Sequence, residues 1–177
     1  LILAAGSQTM ASGPQGGSIH IESHQGNTVT AGTVEAQGRQ GQCGDIAVLG
    51  HNVAVMDGAN VDASGYSDGG TVLVGGDYQG GNPSVQNADN TFVAATASLR
   101  ANGGANPQLP LEGGRGDSVA IRNREEDPVL PRHQGEGWGE GSGGKVIVWA
   151  NDTTRFYGSI EAKGGANGGD GGFVETS

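Results

Sequence analysis

Cysteine is nearly absent from this chain, with one residue, Cys43, in 177. That excludes an intrachain disulfide and any metal site built on paired thiolates. Basic residues are also few: nine Lys and Arg stand against nineteen Asp and Glu, for a formal charge of −10. They are scattered and form no basic stripe, so no nucleic-acid partner is expected. No window approaches a transmembrane span, so no membrane insertion is expected, and no signal-peptide pattern stands at the start. Proline is sparse at six residues and no strict Gly-X-Y triplet runs through the chain, which excludes collagen despite 36 glycines. Apolar residues reach only 34%, low for a globule. Helical periodicity is missing too, because no segment keeps apolar residues at three-to-four spacing for long.

What the chain has instead is repetition, in two sentence types. The Gly-led type reads Gly16-Gly17-Ser18-Ile19-His20-Ile21, Cys43-Gly44-Asp45-Ile46-Ala47-Val48 and Gly69-Gly70-Thr71-Val72-Leu73-Val74. It returns as Gly143-Gly144-Lys145-Val146-Ile147-Val148 and, degraded, as Gly171-Gly172-Phe173-Val174-Glu175-Thr176. The second type reads Thr33-Val34-Glu35-Ala36-Gln37-Gly38, Asn60-Val61-Asp62-Ala63-Ser64-Gly65, Ser98-Leu99-Arg100-Ala101-Asn102-Gly103 and Ser159-Ile160-Glu161-Ala162-Lys163-Gly164. In the first type the steps Ile19 to Ile46, Ile46 to Val72 and Val146 to Val174 all measure about 27 residues. In the second type Val34 to Val61 keeps the same step. Two independent motifs sharing one interval mark a single structural unit said several times.

Each copy alternates apolar and polar residues, the signature of a strand with one buried face. Glycines with Asn, Asp and Ser punctuate the strands and read as turns that need positive φ. The chain is therefore expected to be all-β, a parallel β-solenoid with a period of about 27 residues. Ile19, Ile46 and Val72 would stack in one inward column and Val34 and Val61 in another. At ~4.8 Å per coil, some six coils give a rod of roughly 30 Å. Ala36, Ala63, Ala101 and Ala162 suit tight interior places, and Glu35, Asp62, Arg100 and Glu161 read as a solvated outward face. A solenoid also tolerates the low apolar content, since its core is thin. Cys43 stands where other copies carry glycine and reads as a small buried thiol.

In chain order, residues 1–15 look like a partial coil and 16–76 are the most regular part. A turn-rich connection over 77–90 stretches the step from Val61 to Leu99 to about 38 residues, well beyond one period. A strand returns at Thr91-Phe92-Val93-Ala94. Residues 104–142 differ, holding four of the six prolines and eleven charged side chains. They read as an irregular excursion from the rod, with one strand-like run at 118–121, all within a single domain spanning 1–177. The rod resumes at Gly143. Both ends look cut from something longer, and a raw strand edge invites another chain.

The stretch 143–158, with its Gly-led strand and Trp149-Ala150-Asn151-Asp152-Thr153-Thr154-Arg155-Phe156-Tyr157-Gly158, resembles the filamentous-haemagglutinin-like exoproteins of Gram-negative bacteria, cyanobacteria included. The stretches 168–177 and 69–80 resemble them as well. These proteins are exported by two-partner secretion. The resemblance covers roughly 40–177, most specifically 143–177. It implies a right-handed parallel β-helix at the cell surface or in the extracellular matrix, and a place in the shaft that follows the secretion domain. The lack of disulfides fits such secreted solenoids.

Candidate chemistry is thin. Arg115-Gly116-Asp117-Ser118 spells an integrin-recognition tetrapeptide, so Arg115, Gly116 and Asp117 are the candidate binding residues, for host-cell or matrix ligands. Gly-Asp before a strand also repeats Gly44-Asp45, which offers a purely structural reading. Gly113-Gly114-Arg115-Gly116-Asp117 and the run 164–170 are similar to calcium-binding nonapeptides without matching their register, so calcium at turns is the one cofactor in view. His20, His24, His51 and His133 show no ligand spacing, although His20 and His24 would share a face if one strand ran through both; no metal site is expected. A β-helix enzyme on acidic polysaccharide needs clustered carboxylates, and the Glu35, Asp62 and Glu161 column is broken by Arg100. The expected function is thus structural and adhesive, without catalysis. The rival is a filament subunit whose partner is another copy of itself, stacked end to end.

Overall fold

The computed structural model describes residues 1–40, 43–104, 141–165 and 169–177. Among these residues there are thirteen strands and one short 3₁₀ turn, Tyr78–Gly80. The strands are β1 (Ile2–Leu3), β2 (Gln8–Met10), β3 (Ser18–Thr30), β4 (Thr33–Glu35), β5 (Asp45–Val55), β6 (Asn60–Asp62) and β7 (Thr71–Val74). After them come β8 (Asn90–Val93), β9 (Ser98–Arg100), β10 (Lys145–Val148), β11 (Thr153–Phe156), β12 (Ser159–Glu161) and β13 (Phe173–Thr176). Every strand pair is parallel. The chain is all-β, and its parallel sheets are the arrangement expected of a parallel β-helix.

Three faces wrap one core. The first runs through the early part of β3, the early part of β5, then β7, β10 and β13. β3 and β5 are long enough to bend onto a second face, continued by β8 and β11, with a register irregularity between Ser23 and Asn27 at the corner. The third face is β2, β4, β6, β9 and β12.

The pairing follows the sequence motifs. Ile19 lies beside Ile46, Ile46 beside Val72, Val72 beside Val146 and Val146 beside Val174. On the third face Val34, Val61, Leu99 and Ile160 stack in turn. All of these but Ile160 and the edge residue Val174 are buried. At about 1.5–3 kcal/mol for each fully buried aliphatic side chain, such columns supply the main drive for folding.

The glycines of the Gly-led motif do something other than the turn-making read from the sequence. Positive φ among the described glycines is confined to Gly6, Gly58, Gly75, Gly80 and Gly104, and none of these begins a strand. Gly44, Gly70, Gly144 and Gly172 instead stack along the axis. A Cβ on each would stand 2.0 Å from the carbonyl oxygen of the glycine one rung earlier: Gly17, Gly44, Gly70 and Gly144 respectively. Close backbone approach, not handedness of φ, demands glycine there.

The 75–89 connection folds over the outer side of the first face. Asp77 holds Lys145 at 3.1 Å, Tyr78 meets Phe173 edge to face at 5.6 Å, and Gly76 and Gly80 leave room for the Trp149 ring. The Asn82 amide, the Tyr78 N–H and Lys145 together hold the Asp77 carboxyl below its ordinary range, against the opposing effect of partial burial. Trp149 thus packs beneath this connection, at the edge of the rod, as its place after a buried strand suggests.

Candidate ligand-binding face

The second face carries a feature that the sequence motifs do not announce. Its inward residues alternate with outward ones, so Val53 and Val55 are buried while Ala54 between them is half-exposed. Pairing brings Asn27, Asn52, Asn90 and Thr153 into one outward column. Val29, Ala54, Phe92 and Arg155 form the next column, two residues along each strand. The asparagines are tied together: Asn52 Nδ2 donates to Asn27 Oδ1 at 3.0 Å, and Asn90 Nδ2 donates to Asn52 Oδ1 at 2.9 Å. Between the two columns runs an open trough of about 320 Å³. Phe92 walls it, and Tyr157 leans on Phe92 with ring centroids 5.9 Å apart.

The backbone beneath this trough is held from inside. Thr28 Oγ1 donates to the Leu49 carbonyl and Thr91 Oγ1 to the Trp149 carbonyl, both at 2.7 Å, and Thr154 Oγ1 donates to the Ser177 carbonyl. The buried Thr28 and Thr91 hydroxyls thus find carbonyl partners at inward positions, whereas the buried Thr30 Oγ1 has none among the described residues. They also disguise the strand, since Asn27-Thr28-Val29-Thr30 shows little apolar alternation. The usable signal was the interval, since Asn52 to Asn90 repeats the lengthened step from Val61 to Leu99.

The third face shows a charged column, and one member departs from the sequence reading. Asp62 is not solvated but only 6% exposed. Neighbouring rungs cover it, and its oxygens accept from Gln37 Nε2 and the Ser64 N–H, both at 2.9 Å. Glu161 is met by Lys163 at 2.6 Å and Arg100 at 3.8 Å. Lys163 first, then the Asn102 amide and Arg100, pull the Glu161 carboxyl below its ordinary range. Glu35 is the register partner of Asp62 on the rung before, but Asp62 itself is covered and hydrogen-bonded within the stack, and Glu161 is held by Lys163 and Arg100.

β3 does run through both His20 and His24, and Glu22 sits between them, 2.7 Å from His20 Nε2 and 3.2 Å from His24 Nδ1. His51 pairs with Asp89 at 3.3 Å. Among the described residues, no group of three or more His, Cys, Asp or Glu is arranged to hold a metal ion. Cys43 is half-buried beside Asp68 and Asp45, and burial pushes its thiol up. No helix among the described residues is long and apolar enough to cross a membrane.

Arg115, Gly116 and Asp117 lie outside the described residues, as do the run at 118–121 and all of the 104–142 excursion except Gly104, Gly141 and Ser142. The turn-like run 164–170 is described only in part. The residues flanking 105–140 are anchored to one turn: Gly104 N–H donates to Ser67 O and Gly69 N–H to Ser142 O, both at 2.8 Å.

No protein-family model matches the sequence, and no curated protein does either. Among solved structures, the chain is similar to the crystal structure of the HMW1 secretion domain from Haemophilus influenzae, with a TM-score of 0.56 and 25% sequence identity. The likeness takes in 98% of this chain but 41% of that one, so the chain spans about two fifths of the solved domain.

Proposed function

We propose that this chain is a structural and adhesive segment of a secreted bacterial surface protein. Its fold in this reading is a right-handed parallel β-helix with coils of about 27 residues. It works without catalysis at the cell surface or in the extracellular matrix. The observation that carries the proposal is the axial register, in which like residues of successive motifs lie side by side from Ile19 to Val174. Stacked columns and a continuous backbone ladder make a stiff rod whose outward residues are free to meet partners. The likeness to a secretion domain supports export, by the two-partner route that the sequence resemblance suggests.

A second reading has its own observation. The sequence resemblance favours the shaft, whereas the similar solved structure is a secretion domain. In the second reading these coils are what the outer-membrane transporter recognises. Negative-stain electron microscopy of the 177-residue chain over a concentration series tests the rod. Dispersed short rods support a shaft segment, long fibres support the filament rival, and compact globular particles refute both. Export of the chain behind a signal peptide, with and without a two-partner transporter, separates secretion domain from shaft. Transporter-dependent release would assign it to the former.

A further inference from the structure

We propose that the trough across β3, β5, β8 and β11 seats a short extended oligosaccharide of pyranose units, with a carboxylate-bearing sugar beside Arg155. The inference goes beyond a structural role and does not depend on the route of export.

Spacing comes first. Groups on successive rungs are ~4.8 Å apart along the trough, because that is the distance between paired strands. An extended peptide advances about 3.3 Å per residue and a polyproline helix about 3.1 Å, so both fall out of step with such a rail. A 1,4-linked pyranose chain advances one sugar in nearly one rung. Four strands span roughly 14 Å, room for about three sugars. Nucleic acid is disfavoured by the charge of −10 and by a single cation, Arg155, along the trough.

Chemistry agrees with spacing. Each asparagine amide has two N–H donors and an acceptor oxygen, and the ladder uses only part of them. The second N–H of Asn52 and the amide oxygen of Asn90 have no partner among the described residues. These groups point from a rail whose orientation the ladder already fixes, so little ordering remains for a ligand to impose. Thr153 extends the rail with a hydroxyl. The opposite wall is apolar, with Phe92 backed by Tyr157, which is 62% exposed. A pyranose presents hydroxyls at its rim and C–H groups on its face, matching a polar rail beside an aromatic wall. Arg155 is exposed and has no salt bridge among the described residues, leaving its fork open to a carboxylate. An asparagine ladder kept only for stability would not need the aromatic wall and the arginine in the same trough.

The test is titration of the ¹⁵N-labelled 177-residue chain with cellotetraose and with the same tetraose carrying a single C6 carboxylate, read at the asparagine side-chain amides. Both sugars are expected to shift the Asn52 and Asn90 amides, the acidic one binding about tenfold more tightly. Arg155→Gln should remove that preference and leave cellotetraose unaffected. Ala54→Gln, which extends a side chain into the trough from its outward wall position without emptying the core, should abolish both. Arg155 is exposed, so its variant reports even where Ala54→Gln unfolds. Silent amides at millimolar sugar, or shifts indifferent to both substitutions, overturn the inference. Equal shifts from an uncharged extended heptapeptide overturn the sugar assignment. A rod-shaped particle that binds no sugar overturns this inference and leaves the proposed shaft standing.

Discussion

Gly70→Ala is the sharpest perturbation this fold offers. The new Cβ would lie 2.0 Å from Gly44 O, 2.9 Å from Ala63 O and 3.1 Å from Cys43 Cβ, where ordinary contact begins at 3.4 Å. Two of these neighbours are backbone carbonyls that cannot rotate away, so the rungs must part by more than an ångström. Three bonds cross this point: Gly70 N–H to Ala63 O at 2.8 Å, Thr71 N–H to Gly44 O at 3.3 Å, and Lys145 N–H to Gly70 O at 2.8 Å. Losing two of them at about 1 kcal/mol each, with overpacking of about 1–3 kcal/mol, gives a loss on the order of 3–5 kcal/mol. For a chain of this size that is a drop of roughly 10 °C in Tm. Two controls isolate the cause. Gly171→Ala meets no atom within 4 Å and has no left-handed φ, so it should be neutral within about 0.5 kcal/mol. Gly58→Ala also meets nothing but has φ +78°, and should lose about 1–2 kcal/mol from backbone strain alone. Denaturant unfolding followed by circular dichroism at the β-sheet band ranks the three. If Gly70→Ala unfolds at the same midpoint as Gly171→Ala, close stacking of the glycine column is wrong.

Leu99→Ala empties a fully buried site in the third-face column and should destabilise by about 2–5 kcal/mol, read from the same unfolding curves. Asn52→Ala removes two ladder bonds on an exposed face and should lose about 1–2 kcal/mol; no change would mean the ladder is ornamental to stability. Asp77 has a folded pKa below its ordinary 3.8, so its contribution is complete above that value and fades as pH falls through the lower folded one. Stability measured downward from about pH 5 should therefore drop less steeply in Asn82→Ala than in the native chain, and identical slopes would refute the assignment.

The third-face and first-face columns were legible in the sequence because their inward residues are aliphatic and their early steps, through Val61 and Val72, keep one interval of about 27 residues. Ile19, Ile46 and Val72 are partners in the fold as they are in the spacing. The second face was legible only at β8, through Thr91-Phe92-Val93-Ala94, for two physical reasons. Its inward positions include Thr28, Thr30 and Thr91, which are buried yet read as polar. The corner at His24-Gln25-Gly26 carries a register irregularity, so the continuation of β3 is hidden behind residues that look like a turn. The trough could not be found as a motif, since its rail is assembled from positions 27, 52, 90 and 153 at unequal intervals. Glycine was ambiguous for a related reason. A sequence cannot distinguish a glycine needed for positive φ from one needed because the next rung's carbonyl occupies the place of a Cβ. Asp62 misled because an outward side chain on an inner rung is covered from above and below, a property of the stack and not of the residue.

The chain's residues divide by what each can change. Inward aliphatic side chains and the stacked glycines set whether the rungs pack, and substitution there acts on the whole rod. Outward residues sit on a backbone already fixed by its neighbours, so their chemistry can vary at little loss of stability. The second face shows what that freedom permits. Ala54, small and outward between Val29 and Phe92, leaves the trough open, where a larger residue would fill it without disturbing Val53 or Val55 beneath. The charged third face uses the same freedom differently, setting Arg100 and Lys163 against Glu161. A rod of this kind does not need a pocket folded from distant loops to recognise a polymer. It needs one chemical group per rung, and a ligand whose own repeat keeps step with the rungs.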